Sequence, residues 1–440
     1  MNGFWQALTA DRKVGLAIIV AALGYFVDIF DLILFTILRV DSLKSIGVTG
    51  DALLTEGVFL LNMQMIGMLV GGLLWGIIGD KRGRIVVLFG SILMYSLANI
   101  ANAFVTDVWQ YAVCRFIAGI GLAGEIGAGV TLVAEIMPKK TRGYGTTIIA
   151  VVGVLGTLAA GLIGDLVSWQ NAYIIGGVMG LALLALRMSV HESGLFKHSA
   201  AQKNVQHGDV RLILGSRQRF GRYMLCVMIG VPLWFVVGVL VAFTPEIGVA
   251  MGIPVVLKAS YTSMLYYAGL AIGNLCCGVL SERLQSRKLA IGSFLISSFV
   301  VSLALLLSPI GSAKLFYAMF FPLGFCGGFW IVYLTAVAEQ FGTNLRATVT
   351  TSVPNFVRGA TVPITLGFTY LMSSLGVLGS ATAVCVVVFV LGIMALWRLQ
   401  ESYGVDLDFV ETPSGTTRHM DQADADHVAR LEPEAVRSQG

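Results

Sequence analysis

The chain is written as long apolar runs separated by short polar interruptions. The runs fall at about 14–38, 56–79, 85–106, 108–136, 145–167, 170–190, 221–249, 258–281, 289–308, 314–340, 347–374 and 379–399. About 20 apolar residues are needed for a helix to cross the hydrocarbon core of a bilayer, and these runs have that scale. The pattern predicts an all-α membrane protein of twelve transmembrane helices. Six fall in an N-terminal bundle, 1–190, and six in a C-terminal bundle, 221–400, joined by a polar linker at 191–220. The tail, 401–440, is rich in Asp, Glu and Arg, a composition expected to stay disordered. Lys and Arg crowd the loops of one side (Arg12, Lys13, Lys81, Arg82, Lys139 and Lys140 among them). The other side offers only Arg39, Lys44, Lys258 and Lys314. That bias predicts a cytoplasmic linker and two cytoplasmic termini.

The interruptions inside the runs carry the chemistry. From Val14 to Leu38 only Asp28 and Asp31 are charged. An acid at mid-membrane costs roughly 2.5–3.5 kcal/mol, so two of them need a reason. Their i,i+3 spacing puts both on one helical face, with Cβ atoms about 5–6 Å apart. Two such carboxylates resist joint ionisation, so the pair is expected to hold a proton and titrate as a unit. The alternative is that one Asp is tied to an Arg or a backbone group on a neighbouring helix. Arg358 lies deep in the eleventh run between Pro354 and Pro363. Its planar fork of donors suits a carboxylate, so it is expected to anchor an anion, or else to pair with Asp28, Asp31 or Glu125. Arg115 and Glu125 sit in the fourth run as coupling partners, Arg115 for a helix 1 acid. Gln64, Trp234, Trp330 and Tyr333 are candidates to line the cavity, with packing as the alternative for the aromatic residues.

Composition narrows the class. Of 440 residues 56% are hydrophobic and 12% charged, against about 25% charged in soluble domains. The net charge of +4 is scattered over loops and gives no nucleic-acid surface. The cysteines lie in apolar segments without metal-ligand spacing, and no nucleophile–base set stands out, so no metal, cofactor or enzymatic activity is expected. All five histidines fall in loops or the tail, so a proton inside the membrane would ride on a carboxylate. No cleavable leader is read at the N-terminus.

The two halves repeat. VAEIMPKKTRGYGTT at 133–147 matches VAEQFGTNLRATVTT at 337–351, and GDKRGR at 79–84 has a degenerate counterpart in SERLQSRK at 281–288. Two six-helix halves with matching inner loops describe a carrier rocking about a central site. Asp80, Arg84, Glu135, Arg142, Glu282, Glu339 and Arg346 are the expected cytoplasmic gate. GIIGDKRGRIVVL at 76–88 resembles the helix 2–3 signature of the major facilitator superfamily. CRFIAGIGLAGEIGAGVTLVAEIMPKKTRG at 114–143 resembles its sugar-porter and metabolite:proton symporter branches, with Glu135, Pro138, Arg142 and Gly143 in the inner-end pattern. HESGLF at 191–196 departs from the sugar-porter sequence after helix 6, which argues against a hexose.

VDIFDLILF at 27–35 and AEQFGTNLRATVTTSVPNFVRG at 338–359 are similar to the carboxylate:proton symporters, the sialate and lactate carriers and their aromatic-acid relatives. The resemblance implies a monomeric importer of a small organic anion with protons, in a bacterial inner membrane. It also implies Asp31 as proton carrier, with Asp28 raising its proton affinity, and Asn355 beside Arg358 at the site. Helix 5 lacks the Gly-Pro step of many drug antiporters, which favours import. The alternatives are a proton-coupled carrier of zwitterionic osmolytes or of an anionic metal chelate, and a transporter-like receptor without turnover.

Overall fold

The computed structural model describes residues 12–50, 52–82, 84–136, 142–187, 215–405, 409–411 and 417–419. The first half is built from α1 (Arg12–Ser45), α2 (Ala52–Arg82), α3 (Arg84–Asn102), α4 (Val108–Ile136), α5 (Arg142–Leu166) and α6 (Trp169–Arg187). The second half comprises α7 (Arg217–Phe235), α8 (Thr244–Ala250), α9 (Ala259–Leu284), α10 (Arg287–Leu307), α11 (Ala313–Gly327), α12 (Trp330–Glu339), α13 (Thr343–Gly359) and α14 (Thr361–Arg398). A short antiparallel pair, β1 (Phe409–Glu411) and β2 (Thr417–His419), follows. The linker between α6 and α7 falls mostly outside the described residues. The bundle end where it attaches is the linker end below, and the opposite end is the distal end.

Among the described residues, seven helical stretches are long and apolar enough to cross a membrane. The last, 348–398, would be roughly 75 Å long if straight, more than twice the hydrocarbon thickness. It turns instead at Gly376, whose φ of 67° is open to glycine without a Cβ penalty. That turn falls between the eleventh and twelfth apolar runs.

Helices of the C-terminal half are interrupted one to two turns after an internal proline. Pro232 in α7 precedes a π-helical stretch, Val236–Val241, so the seventh run is one path of three pieces rather than a single helix. Pro322 in α11 precedes the interruption at Gly328, and Pro354 in α13 precedes the one at Ala360. Trp234, Trp330 and Arg358 all sit within two residues of these breaks. The repeat is visible as well: each copy straddles the end of one helix and the start of the next, Ile136 to Arg142 and Glu339 to Thr343.

Within the first half α2 packs on α4, α1 on α5, and α3 on α4 and α6. Gly119 of the glycine-rich fourth run lies against the Gln64 backbone, the close packing expected of that face. In the second half α9 packs on α11, and α14 on α7 and α10. The halves meet chiefly where α2 faces α13 and α5 faces α9.

Candidate functional site

At the centre of that seam one ion pair joins the halves. Arg358, in the last turn of α13, sets Nη2 3.0 Å from Asp28 Oδ2 of α1, and both side chains are buried. The Trp234 ring lies 5.4 Å from the guanidinium carbon. Tyr25 and Tyr267 stand close enough to feel both charges. Arg358 Nε and Nη1 and Asp28 Oδ1 find no hydrogen-bond partner among the described residues. The pair therefore keeps two donors and one acceptor in reserve inside a low-dielectric seam, where each is worth far more than in water.

Asp31 has a different neighbourhood. It accepts a hydrogen bond from Asn99 Nδ2, and Asn99 Oδ1 accepts from Arg115 Nη2 at 2.7 Å. Arg115 lies 5.0 Å over the Tyr173 ring and 5.6 Å over Phe35. All of this belongs to the N-terminal half. The two acids of helix 1 thus do not share one environment: each has its own cation, Asp28 directly and Asp31 through an amide. Arg115 reaches Asp31 only through the Asn99 amide, not by a direct ion pair.

Glu125 faces a third cation. Arg187, in the last turn of α6, grips it with two bonds, Nη1 to Oε1 at 3.1 Å and Nη2 to Oε2 at 2.8 Å, and Ser91 Oγ adds a third at 2.9 Å. The pair sits directly behind Gly24 of α1. A Cβ there would lie 3.0 Å from Glu125 Oε2 and collide with Arg187 Nη2. One helical turn therefore separates this cluster from Asp28. In the sequence Arg187 looks like one more positive charge at a loop edge, and nothing marks it as a partner of Glu125.

The remaining candidates divide. Gln64 is fully buried with both side-chain ends unpartnered among the described residues, as is the Trp234 indole N–H. Tyr333 donates to the Cys226 carbonyl at 2.7 Å, and Trp330 packs 5.3 Å from the Tyr333 ring, so both are engaged within their own half. Asn355 donates across the seam to the Ala123 carbonyl at 3.1 Å. Glu282 and Glu339 both pair with Arg287, inside the C-terminal half rather than across the seam. The side chains of Asp80, Arg84, Glu135, Arg142 and Arg346 lie outside the described residues.

The distal end holds two links that sequence reading missed. Arg39 Nη2 lies 2.6 Å from Glu246 Oε1, reaches the Ala242 carbonyl, and stacks 4.8 Å over Phe243. Asp165 meets Lys258 Nζ at 3.4 Å and Ser260 Oγ. Each joins the N-terminal to the C-terminal half.

Two pseudo-equivalent helical halves closed over a buried, charged centre define a membrane carrier. The family model of the Major Facilitator Superfamily matches residues 16–361, and the chain belongs to that superfamily. It is 27% identical over 372 residues to the niacin transporter NiaP of Acinetobacter baylyi, covering 74% of this chain and 80% of that one. It is 25% identical over 408 residues to the gentisate transporter of Corynebacterium glutamicum, covering 87% and 88%. The partially occluded inward-open xylose transporter XylE from E. coli superposes with a TM-score of 0.67 at 18% identity, covering 90% of this chain and all of that one, which shows the shared fold. The chain is a transporter, not an enzyme.

Proposed function

We propose that the protein imports a small carboxylate together with protons by alternating access, in a bacterial inner membrane with the linker end facing the cytoplasm. The observation that carries this reading is the Arg358–Asp28 pair, buried at the seam with Arg358 Nε and Nη1 unused. A substrate carboxylate entering the seam can take the guanidinium fork in place of Asp28. The displaced Asp28 then carries a proton, since an unpaired carboxylate out of water is far costlier than a neutral acid. One anion and one proton enter and the site stays electrically balanced. Return of Asp28 to Arg358 expels both on the other side. Asp28 is favoured over Asp31 for this exchange, because only Asp28 bridges the halves.

The two relatives named above carry niacin and gentisate, each an aromatic ring bearing a carboxylate. Tyr25 and Ile29, which flank Asp28 on α1, help line a cavity of about 10 Å³ with Tyr267, Leu270 and Asn274, and the Trp234 ring lies 5.4 Å from the guanidinium carbon of Arg358. The Trp234 ring over the Arg358 guanidinium sets a flat aromatic face beside the cation, which suits the same chemistry. The test is thermal-shift binding of purified protein to nicotinate and benzoate against nicotinamide and benzamide. Stabilisation by the acids alone, lost in Arg358→Ala, supports the reading, and equal stabilisation by the amides sinks it. Counterflow in liposomes separates a carrier from a receptor that binds without turnover.

A further inference from the structure

The sequence beyond the last helix reads as a disordered tail, yet its described part is fastened to the linker end of the C-terminal half. The Glu401 carboxylate accepts from the Ser286 hydroxyl and from the backbone N–H groups of Arg287 and Lys288, at the N-terminus of α10. Burial pushes this carboxyl up, but those bonds and one from the Tyr403 N–H hold it below its ordinary range. Ser402 donates to Glu339 at 2.8 Å, and the Tyr403 hydroxyl donates to Glu282 at 3.0 Å. Further on, Glu411 of β1 is only 4% exposed. Its Oε1 lies 3.3 Å from Arg222 Nη1 and 3.5 Å from the Gly342 N–H, and its Oε2 lies 3.7 Å from Arg219 Nη1.

These contacts converge on one joint. Arg222 also donates to the Gln340 carbonyl at 2.7 Å and stacks 5.4 Å over Phe341, while Gln340 Nε2 donates to the Gln400 carbonyl. Residues 340–342 are the turn between α12 and α13. Helix α13 carries Asn355 and Arg358 to the seam, so whatever fixes this turn fixes the root of the helix that bears the anion anchor.

We propose that the tail is an intramolecular clamp on the α12–α13 turn: Glu411 fills an anion seat made by Arg219, Arg222 and the Gly342 N–H, and holds that turn against the start of α7. Release of Glu411 frees the turn to swing away from α7. The clamp needs neither substrate nor proton, so it stands apart from the transport reading.

Cys226 is a built-in reporter. It lies one turn beyond Arg222 on α7, is fully buried, and its carbonyl takes the Tyr333 hydroxyl of α12. Full-length protein in membranes is exposed to N-ethylmaleimide, and labelling is counted at the Cys226 peptide by mass spectrometry. Glu411→Gln is expected to raise the Cys226 rate at least roughly fivefold, the lower end of couplings between sites. Glu411→Asp, which keeps the charge, should stay close to the slow rate. An unchanged Cys226 rate in Glu411→Gln overturns the clamp. So does an equal rise at Cys277 and Cys385, both buried in the same half, because that would mark general loosening.

Discussion

Asp28 and Asp31 are one helical turn apart on α1, yet they belong to different mechanical parts of the molecule. Asp28 reaches out of its own half to Arg358, so the contact must break whenever the halves separate around the site. Asp31 stays inside its half, joined through Asn99 to Arg115, and under the proposed alternating access it would travel with that half. Both are buried acids in a membrane helix, with the same intrinsic cost. On the proposed mechanism, a residue that couples movement to protonation differs from one that braces a bundle in having its partner across the seam.

The comparison breaks most severely at Arg358. Arg358→Ala should abolish carboxylate binding and leave Asp28 buried without its cation, a loss of about 3–5 kcal/mol by analogy with other buried pairs. Arg358→Lys should still bind at least tenfold more weakly, because it keeps the charge and loses the fork. Titrating nicotinate or benzoate in a thermal-shift assay reads both, and near-normal binding by the Lys variant would reduce Arg358 to a plain counter-charge. Arg187→Gln is next. It removes the clasp on Glu125 within one half, so it should lower thermal stability by about 3 kcal/mol or more while liposome exchange, where folded protein is recovered, keeps its substrate affinity. A large affinity loss would place Glu125 at the binding site instead.

Asn99→Leu tests the Asp31 side. The loss of a buried bond to a carboxylate should cost about 1–3 kcal/mol in stability, with proton-driven accumulation retained in the folded fraction. Loss of accumulation with unchanged stability would move the coupling role to Asp31. The smallest effect concerns Glu401, outside the membrane helices. Its carboxyl is held below the ordinary value, so its stabilisation is present above about pH 4.3 and fades as pH falls through the lowered value. The melting difference between wild type and Glu401→Gln, about 1 kcal/mol at neutral pH by analogy with helix caps, should close under acid.

The fold was legible because hydrophobic runs of spanning length and a loop repeat leave few alternatives. The centre was legible for a related reason: a charge in an apolar run stands out, which exposes Asp28, Asp31, Arg115, Glu125 and Arg358. Which charge meets which was not, since pairing depends on how α1, α4, α6 and α13 pack. Asn99 is neutral and leaves no mark in the pattern, though it is the contact that separates Asp31 from Arg115. Arg187, Arg39 and Lys258 sit at helix ends, where a basic residue is ordinarily read as a headgroup or loop charge. Glu246 also stands inside an apolar run, yet nothing in the sequence pairs it with Arg39, and Glu411 lies in a tail whose polarity suggests disorder.

The most direct measurement compares Asp28→Asn with Asp31→Asn in proteoliposomes, using labelled nicotinate or benzoate, whichever wild type exchanges. Each variant is assayed for exchange without a gradient and for accumulation with the outside made acidic. Asp28→Asn mimics the protonated acid, leaves Arg358 free for substrate and removes the site the proton would occupy. It should therefore exchange but fail to accumulate, while Asp31→Asn does both. Accumulation by Asp28→Asn at the wild-type level, with failure in Asp31→Asn, would contradict the assignment of coupling to the residue that bridges the seam.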